Sequence, residues 1–191
     1  MRFRYILALP SVALLLVALA LPVAAQRHRD PLTQAEIEQV RDVSWEPRQR
    51  LALYLQFARE RLVKMEQMRS DPKTKDRPKQ THDLLDDFQL LYDELNDNID
   101  TYVDRKDDIR KPLKLVIDAD TEFQAKLRAL KDAADVSPQE ASQYEFVLTN
   151  ALETVDSSTE DHRKLLADQE VSAKAKKLNK NPSKGTGVSP E

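Results

Sequence analysis

The 191-residue sequence has no cysteine, and its only two glycines, Gly185 and Gly187, lie close to its end. Without cysteine there is no disulfide, thiolate metal site, cysteine nucleophile, covalent haem attachment or lipidated N-terminal cysteine. Without glycine upstream of residue 185 there is no phosphate-cradling loop, dinucleotide fingerprint or nucleophile elbow, since each uses backbone conformations that only glycine takes cheaply. Tight glycine hairpins are missing for the same reason, which argues against an all-β fold. Aromatic residues are scarce at 6%, and charge is nearly balanced, with 30 Lys+Arg against 33 Asp+Glu. No nucleic-acid partner is expected of a chain with that acidic balance.

Only one long apolar run is present. Tyr5 to Leu21 follows Arg2 and Arg4 and precedes Pro22 and the small residues Val23-Ala24-Ala25. This order predicts a secretory signal peptide over residues 1–25, cleaved before Gln26, with no stable transmembrane anchor afterwards. Those residues hold no charge besides the two arginines, so cleavage moves the net charge from −3 to −5. The protein is therefore expected in the periplasm or outside the cell, as one core formed without disulfides.

After a flexible stretch over 26–32, apolar residues recur at steps of three and four, and no strand alternation of useful length appears. A short helix is predicted over Thr33–Val43, opened by the capping box Thr33-Gln-Ala-Glu36. A second helix starts between Ser44 and Pro47 and runs to about Ser70, with Leu51, Tyr54, Leu55, Ala58, Leu62 and Met65 inward. Leu53 and Phe57 widen its stripe enough to touch two neighbours, and Trp45 is expected to staple its start. The two prolines in Ser70–Pro78 mark an exposed connection.

A stripe then runs from Leu85 through Phe88, Tyr92, Leu95, Ile99 and Tyr102 to Leu130, passing Pro112. One kinked helix or two helices turning at Asp107–Lys111 would fit. The turn is preferred, because an interior proline costs about 3 kcal/mol or more. Ser137-Pro138-Gln139-Glu140 opens the last helix, whose inner stripe includes Tyr144, Leu148, Ala151, Val155, Thr159, His162, Leu166 and Gln169.

The expected fold is all-α: an antiparallel bundle of four long amphipathic helices plus a short N-terminal helix, over residues 33–173. Residues 174–191 read as a disordered basic tail. Residues 47–80 are rich in Arg and Lys and residues 83–108 in Asp, which supports packing the second helix on the third. The short first helix is expected to cover the overhang of the last one near Leu165–Ala173.

Candidate sites are few. His82 and His162 are expected more than about 30 Å apart, and no His has a second His or a Glu at a metal-binding spacing. His162 falls on an inner stripe and reads as a satisfied polar residue. Leu95-Asn96-Asp97-Asn98 looks like a stretch of periplasmic b-type cytochromes. The only mature-chain methionines are Met65 and Met68, however, and the axial pair is missing, so no cofactor is expected. The Asp-rich face of residues 86–108 supplies the candidate metal ligands Asp93, Asp97, Asp100 and Asp104, spaced for weak cation binding along a helix.

The sequence therefore leads to an exported, non-enzymatic protein that binds another protein or a cell-envelope component, with a homodimer as one arrangement. The alternative is a periplasmic metal-binding or metal-buffering bundle that uses the Asp-rich face.

Overall fold

A computed structural model describes residues 30–180 apart from Asp135. The expected signal peptide, residues 26–29 and residues 181–191 lie outside the described residues. All regular structure described is helical: α1 (Gln34–Asp42), α2 (Pro47–Ser70), α3 (Arg77–Asp104), α4 (Arg110–Lys131), α5 (Pro138–Ala141) and α6 (Glu145–Lys180). Among the described residues, no helix is long and apolar enough to cross a membrane.

Local chemistry accounts for most of the boundaries. Thr33 caps α1 through the expected reciprocal box: its Oγ1 accepts from the Glu36 amide, and Glu36 Oε2 accepts from the Thr33 amide. Pro47 opens α2 in the first turn, where its missing N–H costs nothing. Pro112 sits in the first turn of α4, and α3 ends at Asp104, so the chain turns between the two helices. α3 begins at Arg77, four residues before the expected Thr81, with Pro78 tolerated at its start.

The last helix is broken where continuity was expected. Ser137 Oγ accepts from the Glu140 amide as a cap should, but α5 lasts a single turn. Gln143 and Tyr144 then bond three residues back, to Glu140 and Ala141, and the four-residue ladder resumes only at Leu148. Anchors on both sides hold the break. Arg69 and Arg77 grip Glu140, and Tyr144 is buried beneath the Arg69 guanidinium, 5.6 Å from its ring centre.

Hydrogen bonds and ion pairs fix how the long helices run. α2 and α3 run in opposite directions, since Arg50 donates to Asn98 and Arg69 to Thr81. α2 and α4 run the same way, joined by Arg59–Glu122 and Glu66–Lys126. α4 and α6 oppose each other, as Arg128–Asp156 and Lys114–Glu170 require. α3 also packs on α6. The core between them includes Leu62, Leu85, Leu95, Val116, Leu127 and Val155, all fully buried. Each such side chain contributes about 1.5–3 kcal/mol by leaving water. At its centre Phe123 meets Phe88 and Tyr92 edge to face, at 5.3 and 6.2 Å.

Four expectations change. α1 lies on α2 and not over the end of α6, because Arg61 forks onto both oxygens of Glu36 and also donates to the Pro31 carbonyl. The capping glutamate thereby docks the helix it caps. Trp45 does not staple α2; it stands 88% exposed. α6 runs to Lys180, past the Ala173 boundary, since Ala, Lys and Leu are strong helix formers that need no packing partner. Finally, α2 does pack on α3, but Arg59, Arg61 and Arg69 take their carboxylates from α4, α1 and α5. The charge of Asp87 on α3 also acts on Arg61.

Candidate functional site: a buried polar network beneath a groove

Three of the long helices place polar residues where their stripes demand apolar ones. On α4 the inward series Leu113, Val116, Phe123 and Leu127 is completed by Asp120, which is fully buried. On α6 the series Val155, Thr159 and His162 puts the imidazole in the interior, 4% exposed. On α3, Tyr92 lies in the core and Asn96 follows one turn later.

These side chains form one connected set. The Tyr92 hydroxyl donates to Asp120 Oδ1 at 2.7 Å, and His162 Nδ1 lies 2.9 Å from Asp120 Oδ2. His162 Nε2 faces Asn96 Oδ1 at 3.1 Å, and Asn96 Nδ2 donates to Ser158 Oγ at 3.1 Å. Beside them, Gln124 donates to Thr159 Oγ1, which in turn donates to the Val155 carbonyl. Burying a carboxylate is expensive unless donors replace its water. Asp120 has one donor on each oxygen. Burial, and after it the charge of Asp120, push the Tyr92 phenol far up, so it stays protonated and donating.

The imidazole can be satisfied in two ways. With the Asn96 amide turned as described, both ring nitrogens donate and the ring carries the charge that balances Asp120. With the amide reversed, a neutral ring accepts from Asn96 while the amide oxygen takes the Ser158 hydroxyl proton. Asn96 stands between the ring and Ser158 in either case. An Asp–His pair beside a serine is the ingredient of nucleophilic catalysis, but that chemistry needs the hydroxyl on the ring nitrogen. Here the amide occupies that nitrogen. The outer edge of the network, at Asn96, Ser158 and His162, forms the floor of a surface groove of about 300 Å³ between α3 and α6.

The residues singled out from the sequence fare differently. His162 is the satisfied polar residue expected of it. His82 is half exposed at the start of α3, about 21 Å along the helix from Asn96 at about 1.5 Å per residue. That is closer than the separation of more than 30 Å read from the sequence, because the α5 break starts the last helix later. His28 lies outside the described residues. Met65 is buried in the core and Met68 packs against it.

Asp93, Asp97, Asp100 and Asp104 are all exposed along α3. They follow one another along a rod and do not converge: among the described residues, no group of three His, Asp or Glu side chains is placed to hold a metal ion. Desolvation, and then the adjacent Asp97 and Glu94 carboxylates, raise the Asp93 carboxyl above its usual range. Asp120, Tyr92, Asn96 and Ser158 were missed as a set. The available signal was Asp120, four residues after Val116 and three before Phe123, on the step of the apolar stripe.

Fold and site together define an all-helical protein with a self-contained polar network in its core. Comparison with protein-family models, with curated proteins and with solved structures finds no match.

Proposed function

We propose that this is an exported, non-enzymatic protein of the periplasm or extracellular space that acts by binding another protein or an envelope component. In this reading α2, α3, α4 and α6 make up an antiparallel four-helix bundle, and its surface does the work. One observation carries the reading: three of the large apolar side chains that stand exposed share one end of the molecule, while Phe146, 80% exposed, stands alone at the other. α2 begins beside the C-terminal part of α3, where Arg50 reaches Asn98 and the Val40 carbonyl. The turn after α3 is held by Gln169 of α6. Trp45 and the part of α6 beyond Gln169 therefore share that end.

Trp45 is 88% exposed, and Val171 and Leu178, seven residues apart on one side of α6, are 66% and 74% exposed. Lys174, Lys176 and Lys177 flank them. An exposed aromatic and two exposed aliphatic groups at one end, with cations beside them, suit a docking surface. The absence of catalysis is supported by Asn96, which separates Ser158 from the His162 ring.

The test is cross-linking and pull-down of the mature chain from its native envelope fraction, beside the variant Trp45→Ala/Leu178→Asp. A partner captured by the wild type and lost with the variant is the expected result. A partner retained by the variant, or none captured, overturns this reading.

A further inference from the structure

The groove between α3 and α6 has three kinds of surface. Its aliphatic lining comes from both helices, Ile99 and Val103 from α3 and Leu165 from α6. Its floor is the polar edge of the buried network, whose hydrogen bonds are already made. Its rim carries two carboxylates, Asp100 from α3 and Asp161 from α6, both exposed. Nearby arginines are committed elsewhere: Arg105 pairs with Asp107 and lies over the Tyr102 ring, and Arg163 pairs with Glu160. Among the described residues, neither Asp100 nor Asp161 has a cationic partner.

We infer that this groove binds a small organic cation, an alkylammonium whose charged head lies between Asp100 and Asp161 and whose aliphatic body lies on Ile99, Val103 and Leu165. Other ligand classes fit less well. An anion would meet two like charges. A neutral apolar molecule would strip water from carboxylates and return nothing. A metal ion would find no third ligand among the described residues. An alkylammonium pairs both carboxylates and covers the apolar lining at once, with its few polar contacts fixing its orientation. The inference is independent of the docking end at Trp45 and would survive its failure.

The experiment titrates the mature chain with hexylammonium by calorimetry and by amide NMR, with hexanol and hexanoate as neutral and anionic matches of the same length. Saturable binding in the millimolar range or tighter is expected for hexylammonium, with shifts centred on Ser158 and Leu165. Hexanol should bind at least tenfold more weakly and hexanoate not at all. Asp100→Asn and Asp161→Asn should each weaken binding by up to about fivefold, the scale of an exposed ion pair, and the double variant should abolish it. Asp93→Asn, on the same helix but away from the groove, should bind like the wild type. Circular dichroism checks that the exposed substitutions leave the helices intact. Equal binding of hexanol and hexylammonium, binding retained by the double variant, or no binding at about 10 mM hexylammonium would overturn the assignment.

Discussion

Asp120 of α4 and His162 of α6 meet at 2.9 Å in the interior, with the carboxylate wholly removed from water. Neither residue has a cheap exit. Truncating one side leaves the other buried without its partner, which typically costs 3–5 kcal/mol, whereas a neutral hydrogen bond is worth about 1 kcal/mol. Asp120→Ala should therefore destabilise the protein by about 3–5 kcal/mol, and Tyr92→Phe by about 1 kcal/mol. Urea denaturation of both and of the double variant checks this. Once Asp120 is gone the Tyr92 hydroxyl loses its charged acceptor, so the double variant should lose less than the two singles together. Strict additivity would mean that the network is not one unit.

Two capping glutamates should contribute to the acid limb of stability, beside the exposed Asp108, which the hydrogen bonds from Arg110 hold down to about 2. The Glu140 carboxyl is held below the usual range by the hydrogen bonds from Arg77, against some desolvation, with Arg69 adding to the effect. At Glu36 burial pulls upward, but the Arg61 and Thr33 hydrogen bonds together outweigh it and leave the group lowered. A carboxyl lowered in the folded state stabilises fully above its unfolded value, about 4.3, and loses that contribution as pH falls through its folded value. The contribution of these two groups should be flat from pH 8 to about 5 and should drop below about 4.5. Glu140→Gln should cost about 1–2 kcal/mol at pH 7 and make the drop shallower. Urea midpoints across that pH range give the measurement, and an unchanged acid limb in Glu140→Gln would assign the drop to other carboxylates.

Helix types and starts were legible because they rest on local rules. Thr33 with Glu36, Pro47, and Ser137 with Pro138 each sit where a cap or a first turn needs them. Pro112 was readable as the beginning of a helix from its cost inside one. The failures are tertiary. That Glu36 would also bind Arg61, and so place α1 on α2, depends on a residue 25 positions away. That Arg69 and Arg77 would grip Glu140 and stop α5 after one turn depends on partners more than 60 positions away. For the network, His162 was visible on its own stripe, but its partner Asp120 belonged to a helix whose orientation the sequence leaves open.

The Asp-rich face of α3 should hold no divalent ion tightly. Its carboxylates are exposed and strung along the helix, and Ca²⁺ needs six to eight oxygens closing around it. Calorimetry with Ca²⁺, Zn²⁺ and Cu²⁺ at about 1 mM should give no saturable heat, and melting temperature should not move. A saturable signal lost in Asp97→Asn/Asp100→Asn would establish the metal-binding alternative.

The scarcity of glycine leaves a mark at the turn between α3 and α4. Lys106 has φ of 62°, and around it the Lys106 amide donates to the Val103 carbonyl and the Asp107 amide to the Tyr102 carbonyl. This is the pair of bonds that ends helices in the Schellman motif, and its left-handed position usually holds glycine. A side chain there costs about 1–2 kcal/mol. Glycine would remove that cost while adding about 0.4–1 kcal/mol of freedom to the unfolded chain. Lys106→Gly should thus gain about 0.5 kcal/mol, a rise in Tm of about 1–2 °C for a domain of this size. Asp76, the other left-handed residue at φ of 52°, is of a type that tolerates this region better, so Asp76→Gly should gain less. Thermal denaturation of the two variants side by side decides the matter. A loss of Tm in Lys106→Gly would mean that the lysine side chain contributes more at this turn than its backbone costs.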